Sequence, residues 1–220
     1  QEKDGIIIDI AETEHMTCEV LLGRIRSEAC SIDPQALIMS AEHVWDMDDI
    51  YSMARSSDIT HFDFMKTLGK VYQKGDEELM VLHLGASAEK LRTTFKAAPP
   101  FLDGATFAGQ SFFLHVFNKE NIKEKAPYIP FFIKKAVIYS QFPEEIYVYS
   151  KRANIDYHNS SESINPDIIK INIIIYNKNG NVLAELNEVT TKRIRNKDLI
   201  DRLLRPEVPA QLESSKNFDV

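Results

Sequence analysis

Ala97-Ala98-Pro99-Pro100-Phe101-Leu102-Asp103-Gly104-Ala105 opens the segment whose reading decides the fold. Two consecutive prolines cannot sit inside a helix or a central strand, because each lacks an amide proton and has a fixed φ. They therefore end the element before them. The segment from Phe101 to Asn118 is apolar nearly all round: Phe101, Leu102, Ala105, Phe107, Ala108, Phe112, Phe113, Leu114, Val116 and Phe117. A helix with apolar residues on every side is a buried helix, and one is expected over residues 101–118.

Strand-like segments surround it. Upstream, residues 5–11 (GIIIDIA) and 17–27 (TCEVLLGRIRS) are rich in β-branched residues and separated by polar ones, as in a hairpin. Asp33-Pro34 is a good helix start within the ambiguous stretch 31–45. Asp46-Met47-Asp48-Asp49 is acidic in the manner of a helix first turn, and Ile50, Met53 and Ala54 share one face, so a short helix is expected over 47–56. Residues 62–72 and 77–84 read as strands around the turn Gln73-Lys74-Gly75-Asp76, and 86–92 as a weak helix or loop. Downstream, 131–139, 145–151, 168–176 and 182–192 read as strands, with Asn177-Lys178-Asn179-Gly180 as a hairpin turn. Asn154 to Pro166 reads as an exposed loop. Asp198 to Leu204 suits one more helix before Pro206 and Pro209 end regular structure. One long buried helix followed by strands that must pair antiparallel gives an α+β fold, and a sheet wrapped around a central helix is a hot-dog fold.

The bulk composition excludes several function classes. The chain has 220 residues, 44% hydrophobic and 27% charged, which is ordinary globular composition. A net charge of −7 and the lack of a dense basic patch argue against a nucleic-acid partner. No run of about 18 apolar residues is present for a membrane span, and the acidic residues Glu2, Asp4, Asp9, Glu12 and Glu14 argue against a signal peptide. Cys18 and Cys30 show neither metal spacing nor disulfide density, as expected of free thiols in a cytoplasmic protein. The six histidines show no zinc or iron spacing, so no metal site is expected. The first residue is Gln1 and an apolar run arrives almost at once, as expected of a piece of a longer polypeptide.

Several stretches resemble, in order and spacing, the second hot-dog of a polyketide synthase dehydratase domain. Residues 48–56 (DDIYSMARS) resemble the short helix that opens it, and 64–79 (FMKTLGKVYQKGDEEL) the strand–turn–strand that comes next. Residues 98–105 (APPFLDGA) resemble the start of the hot-dog helix, 129–151 the next strand pair, and 171–194 the closing hairpin. The flavour is closest to synthases whose acyltransferases act in trans. The resemblance implies a layout in which 1–30 are strands completing a first hot-dog half, 31–46 a linker, 47–195 a second hot-dog, and 196–220 a C-terminal linker.

It also implies a chemistry. Such a dehydratase removes water from a 3-hydroxyacyl chain carried on the phosphopantetheine of an acyl carrier protein. A histidine in the first hot-dog takes the α-proton, and an aspartate at the start of the second hot-dog helix protonates the leaving hydroxyl. Asp103 matches that acid by position. His61 lies where the family has a tunnel-lining tyrosine, and Phe101 and Phe107 are candidates for lining the acyl tunnel.

The surroundings depart from the family pattern. Its histidine–proline pair is Ala98-Pro99 here, and its Gln or His one turn beyond the acid is Phe107, which cannot hydrogen-bond Asp103. Its Tyr-Gly-Pro-x-Phe stretch is His61-Phe62-Asp63-Phe64-Met65. The His-x-x-x-Gly-x-x-x-x-Pro pattern that carries the base occurs nowhere in the 220 residues. The implied function is a dehydratase-like domain that does not dehydrate in the standard way. It would bind or position a carrier-bound acyl chain beside a ketosynthase, as branching domains of some synthases do. The competing reading is an acid–base enzyme performing dehydration, double-bond shift or cyclisation, with Asp103 and a histidine from outside the chain. No directly bound cofactor is implied. The implied partners are an acyl carrier protein, a neighbouring ketosynthase and a homodimer mate.

Overall fold

A computed structural model describes residues 3–10, 13–21, 23, 26–55, 59–109, 128–152, 156–158 and 168–194. The elements are, in chain order, β1 (Lys3–Ile10), β2 (Thr13–Leu21), α1 (Pro34–Met39), β3 (His43–Asp46), α2 (Met47–Arg55), β4 (Thr67–Lys74), β5 (Glu77–Leu84), α3 (Glu89–Thr94), α4 (Pro99–Ala105), β6 (Tyr128–Ile138), β7 (Glu145–Lys151), β8 (Asp156–His158), β9 (Ile168–Tyr176) and β10 (Val182–Arg193). Strands β1 and β2 form their own antiparallel hairpin. The rest make one antiparallel sheet in the order β3-β4-β5-β7-β9-β10-β6, with β8 beside β9. The chain leaves β5 in mid-sheet and re-enters at the far edge as β6, and α4 lies on that connection. The result is the expected α+β hot-dog arrangement.

Alternation along the strands separates two faces. Met80 and Leu82 of β5, Ile146 and Val148 of β7 and Ile171, Ile173 and Ile175 of β9 face one way. They meet Phe101 and Ala105 of α4 and Met47, Ile50 and Tyr51 of α2 in the main core. Leu79, Tyr147 and Tyr176 face the other way and form a second core with Ile32, Leu37 and Ile38. Residues 26–40 thus lie as a strap over the outer face. Asp33 caps α1 by accepting from the Ala36 amide at 3.1 Å, an interaction worth about 1 kcal/mol. The Tyr176 hydroxyl donates to the Cys30 carbonyl at 3.1 Å, and both Ser27 and Tyr139 donate to the Glu185 carboxylate. The β9–β10 turn closes against the strap. Gly180 has φ +74°, and a Cβ there would stand 1.8 Å from the Ile32 carbonyl oxygen, so only glycine fits.

Four expectations need correction. The strand expected over 17–27 lies earlier, at Thr13–Leu21. The helix expected over 101–118 ends much sooner. The amides of Thr106, Phe107 and Ala108 bond to carbonyls three residues back, those of Asp103, Gly104 and Ala105. Gly109 then adopts φ +83° and donates its amide to the Glu78 carboxylate at 2.6 Å. A tightened last turn followed by a left-handed glycine is a helix stop, here held by a carboxylate only 1% exposed. Residues 110–118 lie outside the described residues. The strand expected from residue 62 begins at Thr67, because Asp63–Met65 forms a 3-10 turn with Asp63 at φ +38°. The stretch read as a loop from 154 contains β8, which pairs with β9. The helix expected over 198–204 and the tail beyond it lie outside the described residues.

Candidate functional site

Helix α4 is placed by its own sequence. Ala98 holds extended backbone as the N-cap, and Pro99 and Pro100 occupy the first helical turn, where missing amide protons leave no bond unmade. Phe101 then points into the core, fully buried, with its ring 6.1 Å from that of Phe142. Its volume therefore serves packing, where truncation of a buried Phe to Ala costs about 3–5 kcal/mol. Asp103 is on the next face round and is neither cap nor core. Gly104 brings the helix down onto β4: a Cβ there would stand 2.6 Å from the Thr67 hydroxyl.

Thr67 begins a chain of contacts that returns to Asp103. The Tyr51 hydroxyl lies 3.0 Å from Thr67 Oγ1 and accepts from the Thr67 amide at 2.9 Å. Burial raises the Tyr51 pKa most, Thr67 opposes this, and the charges of Asp103 and Asp48 raise it further. The Tyr51 ring supports His61 at 5.1 Å between centroids and Phe107 at 5.4 Å, and His61 and Phe107 are themselves 5.1 Å apart. Three rings thus touch pairwise, and His61 presents Nε2 to Asp103 Oδ2 at 3.3 Å. That contact lacks the alignment of a good hydrogen bond and leaves Asp103 Oδ2 buried without a hydrogen-bond partner; His61 Nδ1, the other ring nitrogen, is also buried and without one. The Asp103 side chain is 32% exposed against 13% for His61, so the carboxyl stands at the outer side of the pair.

Of the four residues singled out from sequence, Asp103, His61 and Phe107 come together and Phe101 does not. Sequence reasoning missed Tyr51 and Thr67. The spacing of Met47, Ile50, Tyr51 and Ala54, all buried in α2, was the available signal for Tyr51. A cleft of about 410 Å³ lies elsewhere, over the outer side of β4 and β5, with Asp46, Lys70, His83 and Glu145 among its walls. It has no link to Asp103, which belongs to the inner face. Among the described residues no group of three or more His, Cys, Asp or Glu is placed to hold a metal ion. Nor is any described helix long and apolar enough to cross a membrane.

Residues 33–200 match the family model described as polyketide synthase dehydratase N-terminal domain. The chain belongs to the polyketide synthase dehydratase family. An N-terminal dehydratase from the difficidin assembly line is 41% identical, with a TM-score of 0.78 over 87% of this chain and 62% of that one. A monomeric dehydratase domain from a trans AT polyketide synthase split module shares the fold at 22% identity, with a TM-score of 0.64 over 74% of this chain and 56% of that one. Polyketide synthase PksL of Bacillus subtilis (strain 168) is 25% identical over 170 residues, 77% of this chain. The chain spans only 4% of the length of that relative. It is dehydratase-like, and within these 220 residues neither the family's base-bearing histidine pattern nor a hydrogen-bonding side chain at Phe107 accompanies Asp103.

Proposed function

We propose that this domain binds or positions an acyl chain carried on the phosphopantetheine of an acyl carrier protein, beside a neighbouring ketosynthase, in a cytoplasmic synthase whose acyltransferases act in trans. The observation that carries this reading is the setting of Asp103. The sequence resemblance matches this aspartate to the family's acid, and on α4 its neighbours are the rings of His61 and Phe107. A general acid needs a carboxyl free to reach the leaving oxygen, and here the nearest polar group to its buried oxygen is an imidazole of the same half.

The edges of the molecule support a second half alongside this one, with residues 1–30 as strands completing a first hot-dog and 47–195 as the second. Strand β6 is a sheet edge, yet Ile129, Phe131, Phe132 and Ile133 are all exposed on it. Such an edge is normally covered. Phe62, next to His61, and Phe64, within the 3-10 turn, are 72% and 49% exposed and suit an apolar mouth for the acyl chain. The binding reading is tested by titrating the protein with an acyl-pantetheine thioester and following the signals of Phe62, Phe64 and Phe107. Saturable shifts confined to these residues support it, and an unchanged spectrum removes it.

A second reading is an acid–base enzyme in which Asp103 works with a histidine from outside this chain, on 3-hydroxyacyl or enoyl thioesters. The one-third exposure of the Asp103 side chain and its poorly aligned contact with His61 favour it.

A further inference from the structure

We infer that His61 is a positioning residue that latches Asp103 within its own half and withholds the carboxylate from a ligand hydroxyl. For its ligand readout this inference rests on the acyl-binding reading above. The contact itself does not depend on that reading.

The backbone sets the latch. Asp63 adopts φ +38°, a left-handed conformation that a non-glycine residue takes at a cost of about 1–2 kcal/mol. The tight turn it starts leaves Phe62 and Phe64 facing outward, while His61, just before it, is turned inward with its side chain only 13% exposed. The imidazole cannot swing freely, because the Tyr51 and Phe107 rings each stand 5.1 Å from it. Tyr51 is in turn tied to Thr67 through both hydroxyl and amide. Thr67 lies under Gly104, the residue after Asp103, so the same helix turn that presents the carboxyl also presses on the base of the support. The contacts therefore close a ring from Asp103 through His61, Tyr51 and Thr67 back to α4.

Phe107 completes the device. One helical turn after Asp103, it is on the same side of α4 and offers the carboxyl no hydrogen bond. It offers His61 a ring edge instead. The groups packed round the imidazole from the other elements are Tyr51 on α2 and Asp103 and Phe107 on and after α4, and the Lys66 ammonium lies 5.7 Å from the Tyr51 ring centroid. Asp103 is the carboxylate that reaches His61 among the described residues. A hydroxyl that donates to Oδ2 has to displace the imidazole standing 3.3 Å from it. The carboxylate gains the hydroxyl only as it loses its contact with the imidazole, so the ligand gains little.

Two measurements on the whole protein test this. Long-range proton–nitrogen NMR of the histidine rings reports the contact directly. Asp103→Asn is expected to move both ring nitrogens of His61 while the exposed His43 and His83 stay fixed. Unmoved His61 nitrogens overturn the latch. The second measurement compares affinity for a 3-hydroxyacyl-pantetheine with that for its 3-deoxy counterpart. The parent protein is expected to distinguish them by less than about twofold. His61→Phe, which keeps a ring between Tyr51 and Phe107 but removes its charge contact with the carboxylate, is expected to raise the preference for the hydroxylated chain about tenfold, the worth of one hydrogen bond from the ligand hydroxyl to Asp103. The double variant with Asp103→Asn is expected to lose that preference. An unchanged preference in His61→Phe overturns the latch. Failure of every form to bind either thioester overturns the acyl-binding reading instead, and the nitrogen shifts then decide the latch alone.

Discussion

Gly104 shows how a single missing methyl group shapes the site. A Cβ there would meet Thr67 Oγ1 at 2.6 Å and Cγ2 at 3.0 Å, and Thr67 is itself fully buried and bonded to Tyr51. The neighbour cannot give way cheaply, because its hydroxyl is held. Gly104→Ala is expected to destabilise the protein by about 1–3 kcal/mol, despite the better helix propensity of alanine, because overpacking outweighs it. Urea denaturation measures this, and a stabilised variant would show that α4 does not press on Thr67. At this scale, Asp103, His61 and Phe107 were each legible from their place in the family pattern. Their meeting was not. His61 and Asp103 are separated by a 3-10 turn, a hairpin and one helix, so their contact depends on how α4 settles on β4 and β5. The same is true of Thr67, whose role appears only once Gly104 lies over it.

The strands carry a second set of linked groups on the outer face. Burial first, and the hydrogen bond to Glu145 second, push the Tyr147 pKa up to about 12 from 10.0. Burial, with the nearby charge of Glu185, pushes Tyr176 to about 12 as well. Tyr149 is raised by burial and then by its bond to Glu77. The protonated phenols are thus favoured in the fold, while those of an unfolded chain ionise near 10. Stability from this face is fully present below about pH 10 and declines as pH rises towards 12. Urea midpoints across that range are expected to fall, and to fall less steeply in Tyr147→Phe. A flat profile would show that these hydroxyls are not held as described. The strands themselves were readable because alternation and β-branched runs are local signals. The ends of elements were less so. The helix after Pro100 looked long because its apolar composition continues, yet Gly109 and the distant Glu78 stop it. The 3-10 turn at Asp63 was hidden because its neighbours Phe62 and Phe64 look strand-like while remaining exposed.

Over the whole molecule, the fold was legible and the packing of its outer surfaces was not. The order of strands and helix pointed to a hot-dog sheet, and the match over residues 33–200 bears out the family. Residues 26–30 read as part of the first-half strands and 31–40 as part of a linker, because nothing local in the strap announces contact with Tyr176, Gly180 and Glu185. Strand β6 carries the remaining question of what adjoins the sheet. If its edge abuts a first hot-dog half, Phe131→Lys is expected to lower the stability of the whole protein by more than about 1 kcal/mol, whereas a free surface position would shift it by about 0.5 kcal/mol or less. The denaturation midpoint distinguishes the two. The central claim is that the domain holds a carrier-bound acyl chain without removing water from it. Its most direct test is to offer the whole protein a 3-hydroxyacyl carrier protein and follow the acyl mass. The hydroxyacyl mass is expected to persist in both the parent protein and Asp103→Asn. Loss of one water in the parent protein, abolished in Asp103→Asn, would contradict it.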